Sequence, residues 1–417
     1  MTHRVAGRPV ALLLAAACGL ASAASAAPAD PIAAQASPVR IAATAGDDFA
    51  DLAPFGRAVG HARIVALDEQ THGGREEFVL KTRLLRYLHE KLGFDVLVLE
   101  SGFFDVGRLQ QQAQAGARIA ELAPGNIFFM YSKSAEGRDM LRYVDATRHT
   151  AHPLTLVGMD SQLSGALSQH ELVPQLAAFL ATHRSHASES RDWPGFASAV
   201  ASLVALQQLP PPAEQRAAFE RESAQVAREL AALGDAPGAG TGSAGWWGRV
   251  LAGLQARATQ SWVAPRGNAR DQAMGDNVVW IAEHLPQGRR MVVWGHAIHL
   301  MHDAPNTEAP PFAGTVVHRR FGAGYHVAHL TGLEGRYLDY TTLQPRDIVV
   351  APPGSLEGRL AEHPGAALYL APPPEPAADA PPAHYLDYQP FGPLPGRGLH
   401  WESTFFIRQL TPVTMVR

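Results

Sequence analysis

Cysteine is all but missing from this chain. Its 417 residues hold one, Cys18, inside what reads as a removable leader. A mature protein without thiols has no disulfide, no thiolate nucleophile and no Cys-based metal site. Other nucleophile signatures are missing too. No Gly-x-Ser-x-Gly turn is present, and His170-Glu171-Leu172-Val173 lacks the second histidine of a metalloprotease helix. No apolar run reaches the ~20 residues of a membrane span. Charged residues make up only 18% of the chain, with a formal net charge of −4 and no basic face. Nucleic acid is therefore not an expected partner. The chain also lacks internal repeats.

What is present begins with a leader. Arg4 and Arg8 precede an apolar run over residues 10–20, and Ala24-Ser25-Ala26 offers a small-x-small cleavage site. This is the layout of a secretory signal peptide over residues 1–26, which predicts an exported, periplasmic or secreted protein. A lipoprotein signal at Cys18 fits less well, because Ala15 stands where such signals prefer a larger aliphatic residue. Residues 27–48 read as a loose mature N-terminus, rich in Ala and Pro at its start.

Hydrophobic residues make up 46% of the chain, enough for a sizeable core. Short apolar runs alternate with polar clusters and amphipathic stretches, the signature of an α/β fold with a mainly parallel sheet. The clearest strands are predicted over residues 63–67, 95–99, 154–157 and 291–294, with later ones at 326–330, 367–370 and 404–407. The first four are continuous apolar runs, as expected when helices cover both sheet faces. Helices are predicted over 77–91, 138–147 and 272–284. Residues 168–260 carry no strand pattern and read as a helical insertion or lid, broken at Pro210–Pro212 and at 234–245. It divides the α/β core into 49–167 and 261–417, and a further loop is predicted at 372–382.

Each of the four best strands runs into ionisable residues. They are Glu69 and His72, then Glu100, then Asp160, then His296 and His299. Ligands bind outside the carboxyl ends of strands in an open parallel sheet. An Asp after one strand is often only a turn or cap residue. Four such endings point to one cleft. Three chemistries use this set. A histidine oriented by a carboxylate can activate water, with a second histidine or Arg108 stabilising the oxyanion. A divalent metal can sit on His72, Glu100 and His296/His299. A covalent nucleophile is the weakest of the three.

The ordered blocks resemble the erythromycin esterase family. They are Leu67-Asp68-Glu69-Gln70-Thr71-His72-Gly73, Leu99-Glu100-Ser101 running on to Arg108, Val157-Gly158-Met159-Asp160, Arg270-Asp271 through Asn277, and Trp294-Gly295-His296-Ala297-Ile298-His299. The resemblance extends from about Phe55 onward. It implies an α/β core with a helical lid-like region and hydrolysis of an ester or macrolactone, the best-known substrates being macrolides. In that light His72 is the base for water, oriented by Glu69 or Glu100. His296, His299 and Arg270 hold the carbonyl or oxyanion, and Lys81, Arg108 and Asp160 join them in binding substrate. Three positions depart from the family pattern. Asp68 replaces a common Gly, Lys81 a functional Arg, and Ala297 a common Asn. Lys keeps the charge but loses the planar fork of Arg.

The resulting expectation is an exported, cofactor-independent carboxylic ester hydrolase acting on a small-molecule ester or lactone, with macrolide inactivation as a possible role. Two alternatives use the same cleft: a metal-dependent hydrolase, and a non-catalytic binder of haem or another small ligand.

Overall fold

The computed structural model describes residues 1–2, 30–207, 209–234, 240–265, 267–286, 288–302, 312–372 and 400–416. The predicted leader beyond Thr2, Cys18, and the predicted 372–382 loop beyond Pro372 lie outside these residues.

Strands form where β-branched residues and leucine run without interruption. In chain order they are β1 Ser37–Pro38, β2 Ile64–Glu69, β3 Phe94–Gly102, β4 Thr155–Asp160, β5 Arg290–His296, β6 Tyr325–Leu338, β7 Pro345–Asp347, β8 Ala367–Leu370 and β9 Ser403–Leu410. They build one sheet in the order β1-β8-β9-β6-β2-β5-β3-β4, with β7 paired to β6. From β9 to β4 every neighbouring pair is parallel. The pairs β1–β8, β8–β9 and β6–β7 are antiparallel. The mainly parallel α/β architecture read from the sequence is therefore the one observed.

Successive side chains of a strand point to opposite faces, and the core divides accordingly. Val65, Leu67, Leu97 and Leu99 pack with Leu84 and Leu88 of the helix Arg75–Leu92 and with Met140 and Val144 of Ala135–Thr147. Ile64, Ala66, Val96 and Val98 face the other way. They pack with Trp246, Trp247 and Leu251 of Ala244–Ala258 and with Met274 and Val278 of Ala269–His284. Each fully buried leucine here contributes roughly 1.5–3 kcal/mol.

Among the described residues of 168–260 there is no strand. The helices Ala166–Thr182, Trp193–Val204, Ala213–Leu233 and Ala244–Ala258 follow one another there. The helix Ala244–Ala258 reaches the end of β4, where Ser161 lies 3.4 Å from a Cβ built on Gly253.

Two expectations need correction. Strands β2, β3, β4 and β5 all outrun their predicted stretches at the carboxyl end. Asp68 and Glu69 remain in the ladder, opposite Gly295 and His296. The polar residues hid these rungs. Residues 30–48, expected to be loose, are tied down. Pro31–Gln35 is a helix capped by Asp30, and β1 pairs with β8. Arg83 is buried, and its guanidinium reaches Asp47 at 2.7 Å and Asp51 at 2.6 Å. Burial works to raise the Asp51 pKa, but the bonds from Arg83 and Arg40 bring it to about 2.

Candidate active site

The strand ends place the ionisable groups. Glu69 and His296 are opposite partners at the last rung of β2 and β5. Gly102 and Asp160 face each other at the end of β3 and β4. A cleft of ≈380 Å³ opens there, and His72, Glu100, Asp160, Arg270, His296 and His299 all line it. Phe128, Tyr340, Ser101 and Gln162 are also part of its wall.

His72 stands on the turn after β2. Leu338 and Val413 both donate backbone N–H bonds to the Gly73 carbonyl, at 3.1 and 3.0 Å. A Cβ on Gly73 would fall 1.8 Å from the Leu338 carbonyl oxygen, so only glycine fits this close crossing. The turn is thereby fixed, and His72 with it. His72 Nδ1 donates to Glu69 Oε1 at 3.0 Å. The same oxygen accepts the Tyr131 hydroxyl at 3.1 Å. Burial, reinforced by the Glu100 and Asp160 charges, pushes the Tyr131 hydroxyl well above its ordinary pKa, so it remains a donor. Glu69 is fully buried, and its other oxygen pairs with the Lys81 ammonium. With Nδ1 committed to Glu69, acid–base work falls to Nε2 of His72. The ring stands edge-on to Phe128, Tyr340 and His296, at centroid distances of 4.7, 5.1 and 5.0 Å.

His296 both ends β5 and caps the helical turn Ala297–Leu300. Its Nδ1 accepts the backbone N–H of Ile298 at 3.2 Å. The neutral ring therefore carries its proton on Nε2, as a donor. Its own backbone N–H donates to Glu100 Oε2 at 2.7 Å. Glu100 is thus not the orienting partner of His72; Glu69 is. Glu100 organises the other wall, where its Oε1 lies 3.3 Å from His299 Nε2 and 3.4 Å from Arg270 Nη2. Burial works to raise its pKa, but the charges of His299, His72, Arg270 and His296 outweigh this and bring it to about 2.

Arg270 opens the helix Ala269–His284 and grips Asp160 through two nitrogens, at 3.0 and 2.7 Å. Asp160 also accepts the backbone N–H of Gln162 at 2.8 Å, so it is both a turn residue and the arginine's anchor. Burial opposes the Arg270 charge, but Asp160, Glu100 and Asp271 hold its pKa above the ordinary value. His299 Nδ1 lies 2.7 Å from Asp271 Oδ1. Burial works to strip its proton, but Glu100 and Asp271 raise its pKa above the ordinary value. The metal alternative needed this set to be open to a cation. Instead, the Arg270 guanidinium already lies against Glu100 and Asp160. Among the described residues, no group of three or more His, Cys, Asp or Glu side chains is arranged to hold a metal ion.

Two expected substrate-binding residues are elsewhere. Lys81 is fully buried behind Glu69, 4.3 Å from the centre of the Trp294 ring, and does not reach the cleft. Burial lowers its pKa against the pull of Asp68 and Glu100. Arg108, on the helix Phe103–Gln114, pairs with Glu171 at 2.8 Å and does not line the cleft. Four residues with a clear place in the site were not foreseen: Phe128, Tyr131, Tyr340 and Asp271. The first three lie in short segments without a diagnostic pattern. Asp271 had a signal, because it directly follows Arg270 in a block already singled out.

The erythromycin esterase family model matches residues 89–393. The matched stretch starts after His72, whose assignment therefore rests on geometry and on the leading motif. The curated Bacillus subtilis relative YbfO, named a hydrolase, is 34% identical over 104 residues, 24% of this chain and 22% of that protein. Erythromycin esterase type II of Escherichia coli is 40% identical over 57 residues, 14% of each chain. These stretches span less than a quarter of either relative. Among solved structures, a Bacillus cereus protein superposes with a TM-score of 0.73 at 19% identity, covering 93% of this chain and 98% of that one. A succinoglycan biosynthesis protein gives 0.71 at 21% identity, covering 92% and 96%. A mutant of the erythromycin esterase EreC in its open conformation gives 0.61 at 16% identity, covering 89% and 96%. These likenesses show the fold. Together with the match over more than half of its length, they lead to one conclusion: the chain belongs to the erythromycin esterase family.

Proposed function

We propose that this protein hydrolyses a carboxylic ester or lactone with water activated by His72. The observation that carries this reading is the His72–Glu69 pair, 3.0 Å long, at the edge of a cleft whose opposite wall presents the donors His296 and Arg270. A neutral imidazole held by a buried carboxylate can take a proton from water and bear the resulting charge. The oxygen of an attacked carbonyl then needs donors. His296 Nε2 and the Arg270 guanidinium supply them from the neighbouring strand end and helix. Glu100 neither attacks nor accepts the proton. It holds the His296 backbone and the Arg270–His299 wall in place.

The cleft falls within the ~300–1,000 Å³ of small-molecule sites. A macrolide lactone is the first substrate to test, and antibiotic inactivation is the role it would imply. The leader pattern over residues 1–26 supports export. Among the described residues, no helix is long and apolar enough to cross a membrane.

The experiment is a substrate screen with purified protein. Erythromycin, simple lactones and aryl esters are incubated with and without chelator, and gain of water is read by mass spectrometry. Turnover that survives chelation and vanishes in His72→Ala is the expected result. Full rate in that variant on every cleaved ester would remove His72 from the mechanism. Turnover that disappears with chelator would return the metal reading.

A further inference from the structure

The cleft has an annex. A smaller hollow of ≈220 Å³ adjoins it, and Ser101, Gly102, Phe128 and Ser164 line both. Phe128 to Lys133 form one anchored segment beside the two. At its start, Phe128 donates its backbone N–H to Ser101 Oγ at 3.1 Å. At its end, Lys133 closes the short helix Phe129–Lys133, and its carbonyl accepts the Val416 N–H at 2.7 Å. The Phe128 ring lies edge-on to His72, 4.7 Å between centroids. The segment thus links the proposed base to the annex.

Charge sets the annex apart from the cleft. In the cleft, Glu100 and Asp160 face Arg270, so opposite charges already meet. Among the described residues lining the annex, Lys133 alone carries a charge. Its side chain is exposed, and among the described residues its ammonium has no ion pair. Asn126 is committed elsewhere. It donates to the Leu122 carbonyl at 2.7 Å and accepts the Leu167 N–H at 3.1 Å. Ser101 is buried where the two hollows meet. Its hydroxyl accepts from Phe128 and keeps a proton to donate. A cation and a hydroxyl donor, with no acid opposite them, suit an oxyanion.

Resting on the hydrolase reading above, we propose that the annex is a specificity subsite, in which Lys133 pairs with an oxyanion that the substrate carries away from its scissile ester. The substrate class is then an ester or lactone with a carboxylate tail. Lys133 binds and orients that tail, and bond breaking stays in the cleft. One part-exposed ion pair is weak, so the selectivity is modest and sensitive to salt.

The test uses esters with a carboxylate tail of varied length. Ethyl half-esters of adipic, suberic and sebacic acid carry it on the acyl side. Acetates of the matching ω-hydroxy acids carry it on the alcohol side. Each has a neutral partner of equal length that ends in methyl. The readout is the ratio of kcat/KM for the charged ester to that for its neutral partner. Comparing this ratio between proteins cancels intrinsic reactivity. In Lys133→Ala the ratio should fall about two- to fivefold for at least one tail, the size of one part-exposed pair. Lys133→Glu should lower it further, through KM and not kcat. Added salt should erode the wild-type ratio more than that of Lys133→Ala. Ratios that stay the same in both variants at every length would overturn the subsite and leave the hydrolase reading intact. Equal losses on charged and neutral esters would do the same, because they mark a packing defect. If no ester is cleaved, the hydrolase reading falls and binding decides the subsite. Calorimetry should then show the adipic half-ester binding wild type more tightly than Lys133→Glu. Equal binding, or none, would overturn the subsite as well.

Discussion

Asp68 and Glu69 are adjacent on β2 and do the same thing on opposite faces of the sheet. Each holds a histidine through Nδ1. Glu69 holds His72 at 3.0 Å, and Asp68 holds His329 at 2.9 Å. On the Glu69 side the ring lines a cleft. On the Asp68 side both residues are fully buried, and the His329 ring lies 4.3 Å from Trp401. Asp68 also accepts the Leu330 backbone N–H at 2.8 Å. The pairs have the same chemistry and differ in access. One can meet a substrate, while the other ties β6 to β2 inside the core.

The largest expected effect tests that contrast directly. His72→Ala should cost about 10²–10⁴-fold in kcat/KM with little change in unfolding midpoint. His329→Ala should do the reverse. Losing the buried ring leaves a cavity beside Trp401 and takes a hydrogen bond from Asp68, at a cost of about 3–5 kcal/mol, read as a lower denaturant midpoint, while kcat per folded molecule changes far less. If His329→Ala abolishes turnover in folded protein, the division between chemistry and scaffold is wrong.

Lys81 is the next probe, because it touches Glu69 from behind. Lys81→Met removes the charge that Glu69 faces. It should lower kcat and also destabilise the fold by about 3–5 kcal/mol. KM should stay close to the wild-type value, since Lys81 does not line the cleft. A change confined to KM would restore it as a substrate contact.

Acid stability gives a smaller effect. The folded pKa of Glu100, about 2, lies below its ordinary value of 4.5. A depressed carboxyl stabilises the fold above its unfolded pKa, and that contribution is lost as pH falls through the folded one. Stability should therefore decline between pH 4.5 and about 2. Urea midpoints across this window should show a shallower decline in Glu100→Gln.

The smallest effect is expected at Arg108. Its pair with Glu171 is partly exposed on both sides, so Arg108→Ala should cost under ~1 kcal/mol. Erosion of kcat/KM in that variant would return Arg108 to the site.

Much of the fold was readable because it rests on periodicity. Uninterrupted apolar runs marked β2 to β5, and the 3.6-residue pattern marked the helices. Strand ends were harder to read. Asp68, Glu69 and His296 look like loop residues, yet they sit on ladder rungs because their polar groups are met across strands and from the helices. The candidate site was readable as types at positions: His72, Glu69, Glu100, Asp160, Arg270, His296 and His299 all fall at one end of the sheet. The partnership of each was not. Glu100 looked as able to orient His72 as Glu69 does, and Asp271 had no stated role.

By itself, the sequence determined that this is an α/β chain with a single cysteine, Cys18, and with several histidines and carboxylates following its strands. Strand propensity and hydrophobic period are local properties, and they survive in a linear reading. The tertiary structure alone decided which carboxylate serves which histidine, that Lys81 lies under the site and Arg108 outside it, and that Asp68 and Glu69 face different worlds. Those outcomes depend on strand register, on sheet order and on which side chains exclude water, and distant residues meet only when the chain folds.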